Sequence, residues 1–176
     1  MAGEFRGGER PAETLDLSDR LGGHGDAAPA AAGELEQVAG TRADTYYASA
    51  LPLLMRTTLA LGEMELATRL LDGVEPRTPL SEHALAACQA QLAEAAGEHG
   101  RAAAVYAKAA GRWREVGNLP ERAYALLGQG RCLAALAKPE AAEPLREAQT
   151  LFASIEYRPA LAETEAQLGQ ATAAAL

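Results

Sequence analysis

From about Ala43 to the carboxyl end, apolar residues fall at helical spacing, and small residues recur within that pattern at fixed intervals. Ala67, Ala102 and Ala142 each stand five residues after Gly62, Gly97 and Ala137. Gly130 and Gly169 form a second small pair, and Tyr106 supplies bulk four residues after Ala102. A small side chain is what a close crossing of two helices requires, so the recurrence predicts helical hairpins stacked on one another at a period of about 35 to 40 residues.

Apolar residues mark seven helices. Their faces hold Leu51, Leu54, Thr58 and Leu61; Ala67, Leu70, Leu71 and Val74; Leu85, Cys88, Leu92 and Ala95; Ala102, Val105, Tyr106, Ala109 and Trp113; Leu126, Gly130, Leu133 and Ala137; and Ala141, Leu145, Ala148, Phe152 and Ile155. The seventh helix runs from about Pro159 to Ala173. Thr78-Pro79 and Asn118-Leu119-Pro120-Glu121 read as N-caps followed by a first-turn proline, and Glu121 stands at the capping-box position. Gly73 with Pro76, and Gly117, end the preceding helices. Pro52 either starts the first helix or kinks it, and Pro144 raises the same question in the sixth.

Residues 1–42 have another character: glycines, Pro11, Pro29, acidic residues and few large apolar side chains, with Thr14 to Leu21 the one stretch that could form a short helix. Such a segment buries too little to offset the entropy of ordering it, so the expected organisation is a flexible stretch over 1–42 and a helical repeat domain over 43–176.

Composition narrows the function. Alanine carries much of the 48% apolar content, aromatics are 5%, and the formal net charge is −8. Lys108 and Lys138 are the only lysines, and the arginines are scattered singly, without the basic stripe that phosphate contacts demand. Nucleic acid and membrane are therefore not expected partners, and a cytoplasmic location is. Cys88 and Cys132 read as small buried hydrophobes. Neither lysine follows a glycine as a phosphate loop requires, and Gly128-Gln129-Gly130 begins a dinucleotide-like match only to lack the third glycine and the preceding strand. His83 and His99 stand on different helices and His24 in the amino-terminal segment, so no zinc set is expected. Glu163 and Glu165 point to different faces of one helix and read as solvated; Trp113 reads as packing between repeats or, as the second choice, a binding anchor. No cofactor, metal or catalytic group is expected.

The two-helix unit with its small crossing residues is similar to the tetratricopeptide repeat, although the usual tryptophan, tyrosine and proline positions are mostly replaced. The stretches Gly73-Val74-Glu75-Pro76-Arg77-Thr78-Pro79-Leu80, Arg112 through Asn118-Leu119-Pro120-Glu121 to Leu133, and Arg158-Pro159-Ala160-Leu161-Ala162-Glu163-Thr164-Glu165 resemble the carboxyl-terminal helical repeats of large actinobacterial proteins that join a class III adenylate/guanylate cyclase domain to an ATPase module. The resemblance covers about Leu51 to Ala174 and implies a right-handed solenoid of helical hairpins with no catalytic residue. It implies either a protein-binding scaffold or the detached regulatory tail of such a signalling protein or of a repeat-containing transcriptional regulator. On this register the first helices of successive units line a concave face with Ala84, Ala87 and Gln91 from one unit and Tyr124, Leu127 and Arg131 from the next. Those six residues either meet a protein or peptide partner, with Arg131 available for a carboxylate, or contact neighbouring helices.

Overall fold

The structure, a computed structural model, describes residues 45–173. The expectations for residues 1–42, including the Thr14 to Leu21 helix and His24, lie outside the described residues. Those described form seven α-helices and one 3-10 turn, with no strand among them. The helices are α1 (Thr45–Ala60), α2 (Met64–Arg69), α3 (Pro79–Ala95), α4 (His99–Glu115), α5 (Leu119–Ala135), α6 (Ala142–Ser154) and α7 (Arg158–Ala173). The 3-10 turn, Pro139–Ala141, leads into α6.

Local chemistry sets the boundaries. Thr78 Oγ1 accepts from the Ser81 amide at 3.2 Å, and Ser81 Oγ accepts from the Thr78 amide at 3.0 Å, so α3 opens on a full capping box with Pro79 as its first residue. Asn118 Oδ1 accepts from the Glu121 amide at 3.1 Å to open α5. The Glu121 side chain does not close a box there; it pairs with Arg56 instead. Pro52 lies inside α1, so that helix does not begin at the proline. Pro144 is the third residue of α6, where its missing N–H has no intrahelical partner to lose. The second helix is shorter than its apolar spacing predicts. It ends at Arg69, and i to i+3 bonds from the amides of Leu71, Asp72 and Val74 carry the chain into a turn that leaves Val74 outside the helix.

Five turns share one design. At each, the second residue after the helix takes a left-handed conformation: Gly62 (φ 79°), Gly97 (77°), Gly117 (73°), Ala137 (52°) and Glu156 (55°). The amide that follows then bonds back to the carbonyl five residues earlier: Glu63 to Thr58, Glu98 to Ala93, Asn118 to Trp113, Lys138 to Leu133 and Tyr157 to Phe152, at 2.8–3.1 Å. This is the Schellman closure, which satisfies carbonyls that a helix end otherwise leaves unbonded.

From α3 onward each helix packs against the next in sequence, and the first helices of neighbouring units also touch, α1 on α3, α3 on α5 and α5 on α7. Trp113, Leu127, Leu145 and Phe152 fill the main core, and Leu51, Met55 and Leu70 a second cluster that Cys88 joins. Ala67 and Ala102 are fully buried, as crossing residues should be. In the third unit the buried small residue is Ala141, and Ala142 is half-buried, because the 3-10 turn advances the chain faster than an α-helix and moves the crossing back by one. Gly130 fits its predicted role, since a Cβ there would overlap Leu145. Gly169 does not: it is exposed, with nothing near the Cβ position.

Candidate binding surface

Four of the six residues expected on an open concave face are inside the protein. Ala84 and Ala87 belong to the main core, Leu127 is fully buried, and Gln91 is buried with its Nε2 donating to the Pro52 carbonyl at 3.3 Å. The physical reason at Gln91 is that α1 lies directly on α3 and covers that face. Tyr124 and Arg131 are half-buried and already engaged.

Arg131 is the hub of a network joining four helices. Its Nε and Nη2 donate to Glu94 of α3 at 2.8 and 3.0 Å, and its Nη1 donates to Glu163 of α7 at 2.6 Å. Tyr106 of α4 donates its hydroxyl to the same Glu94 at 2.6 Å. Burial lowers the guanidinium pKa, but the Glu94 hydrogen bonds and the charges of Glu94 and Glu163 more than offset this, leaving it raised. Burial first, and the Glu94 charge and hydrogen bond second, push the Tyr106 phenol up. Glu163 and Glu165 do point apart, as their spacing requires, but neither is simply solvated: Glu165 accepts from Gln149 Nε2 at 3.4 Å on α6.

A second network links α1 to α5. Arg56 donates to both carboxylate oxygens of Glu121, at 2.8 and 2.7 Å, and its guanidinium sits 3.8 Å above the centre of the Tyr124 ring. Here too burial lowers the Arg56 pKa and the Glu121 hydrogen bonds and charge reverse the effect. Tyr124 meets Phe152 edge-on at 5.0 Å and Tyr157 at 6.2 Å, and Tyr157 carries the cluster to the surface. Arg122 pairs with Glu147 across α5 and α6.

The remaining sequence candidates are packing residues. Trp113 is buried, with His83 edge-on at 5.7 Å. The Gly128-Gln129-Gly130 run lies within α5, where a Cβ on Gly128 would overlap the Tyr106 ring. Cys88 and Cys132 are free thiols in the interior, and burial raises both, Cys132 to about 12. Among the described residues no three His, Cys, Asp or Glu side chains gather as a metal site, and no helix is long and apolar enough to cross a membrane.

Two clefts open on the surface. One, of about 300 Å³, lies beside the short α2 and is lined by Met64, Leu92, Ala93 and Ala96 with the Glu98–Arg101 ion pair at its rim. The other, of about 460 Å³, runs between the end of α5 and α7; Arg131, Ala134, Lys138, Gln167, Gln170 and Ala171 line it. Sequence spacing did not point to this cleft, although the regular turns supply the register that locates it.

Compared with known proteins, the chain matches no family model, no curated protein and no solved structure.

Proposed function

We propose that the chain is a non-enzymatic protein-interaction module of tetratricopeptide-like repeats, its hairpins stacked as a right-handed solenoid, working in the cytoplasm on a protein or peptide partner. The observation that carries this reading is the repetition itself. The same left-handed turn and back-bonded amide close hairpin after hairpin, so neighbours contact mainly neighbours and the array presents an extended surface with clefts between units. The net charge of −8 weighs against nucleic acid as the ligand. The stretches that resemble cyclase–ATPase proteins favour a second reading, a regulatory tail that acts in concert with a catalytic or DNA-binding part. An adjoining reading frame encoding cyclase and ATPase sequence would support it.

The test is to display a peptide library against the immobilised full chain and, in parallel, to incubate the chain with ATP and GTP. The expected result is saturable binding of a defined peptide set with no nucleotide turnover. Cyclic-nucleotide formation, nucleotide hydrolysis, or a library that yields no binder sinks the proposal.

A further inference from the structure

The apolar interior is divided between two parts of the chain. The main core takes its residues from α3 onward, beginning at Ala84. The second cluster belongs to the first hairpin, with Tyr47, Leu51 and Met55 from α1, and Ala67 and Leu70 from α2 and the residue after it. Tyr47 donates its hydroxyl to the Leu70 carbonyl at 2.9 Å, so the hairpin is also bonded to itself. Its apolar contact with the later helices is one strip of α3: Leu85, Cys88 and Leu92.

This attachment differs from those farther along. α4 packs along α5 and α6 along α7, but α2 barely touches α3. The 300 Å³ cleft lies there, with Met64 and Thr68 on one side and Leu92 and Ala93 on the other. The hairpin is therefore held mainly by α1. The chain that joins it to α3 offers little resistance to bending: residues 75–77 belong to no helix and are exposed, and Gly73 before them is left-handed, with nothing within 4 Å of its Cβ position.

A clasp and a defect act on the closed hairpin. Arg56 bonds both oxygens of Glu121 and sits over the Tyr124 ring, and the two charged side chains are only 19% and 14% exposed, so the pair is worth more than a solvated surface pair. Gln91 acts in the other direction. Its Nε2 reaches the Pro52 carbonyl, but its Oε1 is buried without a partner among the described residues, and lifting α1 gives that oxygen to water.

We propose that α1 and α2 form a strap that lifts as one unit about residues 73–77 while α3 to α7 stay folded, with Arg56 setting how often it lifts. Opening bares Leu85, Cys88, Gln91 and Leu92 of α3 and frees the Tyr124 ring of α5. On the interaction-module reading, a partner that uses this face has to displace α1 first, so the closed strap is an autoinhibitory contact. That consequence rests on the reading; the opening itself does not.

Amide hydrogen exchange of the full chain tests the opening without any partner. The mid-helix amides of α1 and α2 should exchange through one shared opening, at least about tenfold more populated than the opening that exposes α4 and α5. Alkylation of the buried Cys88 by iodoacetamide, followed by mass spectrometry, should report the same event. Its urea dependence should be on the order of a third of the slope for global unfolding read by circular dichroism, because only one hairpin leaves the body. Arg56→Ala should speed Cys88 alkylation about tenfold and leave the protection of α4 and α5 unchanged, since opening rehydrates the Glu121 that the variant leaves without its partner. Protection of α1 equal to that of α4, or a Cys88 urea slope equal to the global one, overturns the strap; both are measured on the unaltered chain and do not depend on the variant folding. If peptides bind the chain but the strap opens only with global unfolding, the strap falls and the module stands. If no peptide binds and Cys88 still reacts through the local opening, the module falls and the strap stands.

Discussion

Two turns closed by the same back-bonded amide carry different residues, and exchanging them should move stability in opposite directions. Gly97 and Ala137 both sit in the left-handed region, at φ 77° and 52°, and both are followed by an amide that bonds five residues back. A residue with a Cβ loses about 1–2 kcal/mol there, while glycine in place of alanine forfeits about 0.5–1 kcal/mol of chain entropy on folding. Ala137→Gly should therefore stabilise by about 0.5–1 kcal/mol, and Gly97→Ala should cost about the same. The second figure contains no packing contribution, because a Cβ on Gly97 meets nothing within 4 Å. Urea unfolding followed by far-UV circular dichroism reads both changes. With a slope of about 2 kcal/mol/M the midpoints should move by about 0.3–0.5 M, up for Ala137→Gly and down for Gly97→Ala. A destabilised Ala137→Gly would refute the equivalence of the two turns, and with it the register used to align successive units.

Three further outcomes follow from the packing and the charges. Ala102→Leu should overpack the fully buried crossing and cost about 1–3 kcal/mol, whereas Ala107→Leu at an exposed position of the same helix should be close to neutral in the same urea assay. Arg131→Ala should destabilise by about 1–3 kcal/mol, since it leaves the half-buried Glu94 without its two guanidinium bonds; thermal melts of Arg131→Ala and of Arg131→Ala with Glu94→Gln should show the second change recovering part of the loss. Stability should fall as pH rises past about 9: the folded-state pKa values of Cys88, Cys132, Tyr106 and Tyr124 are all raised, so their contribution is intact below the ordinary values of 9.0 and 10.0 and is lost above them as the unfolded chain releases protons. Urea midpoints at pH 8 and pH 10.5 check this, and equal midpoints would contradict the burial of these groups.

The helices were legible because their signals are local. Apolar spacing set the faces, Thr78-Pro79 and Asn118 announced two helix starts, and Gly62, Gly97 and Gly117 announced ends. Ala137 was placed among the turns by its spacing from Ala142, matching that of Gly62 from Ala67 and Gly97 from Ala102, although alanine is a poor resident of a left-handed site. The one-residue error at Ala142 arose where a local signal was missing, since nothing at Pro139 distinguishes a proline that opens an α-helix from one that opens a 3-10 turn. Likewise Glu121 satisfied the capping-box spacing, but a carboxylate three residues into a helix has a choice of partners. Arg56, 65 positions away, offers two charge-assisted bonds, against the single amide at the cap.

The candidate face shows the limit of that reasoning. Helical periodicity says which side of α3 and α5 turns inward, and Ala84, Ala87, Gln91 and Leu127 do turn inward. It does not say how closely the next helix approaches, because that distance depends on side chains contributed by another unit. Gln91 is met by α1, whose Pro52 carbonyl accepts its amide, and Ala84 and Ala87 pack into the main core with α4 and α5, so the residues that suggested room for a ligand are the ones where neighbouring helices take the room. Between α5 and α7, Ala134 and Ala171 stay half-buried and line an open cleft. In an alanine-rich array, which surface stays open is therefore decided by how closely the neighbouring helices approach, and the spacing of small residues along one helix does not show it.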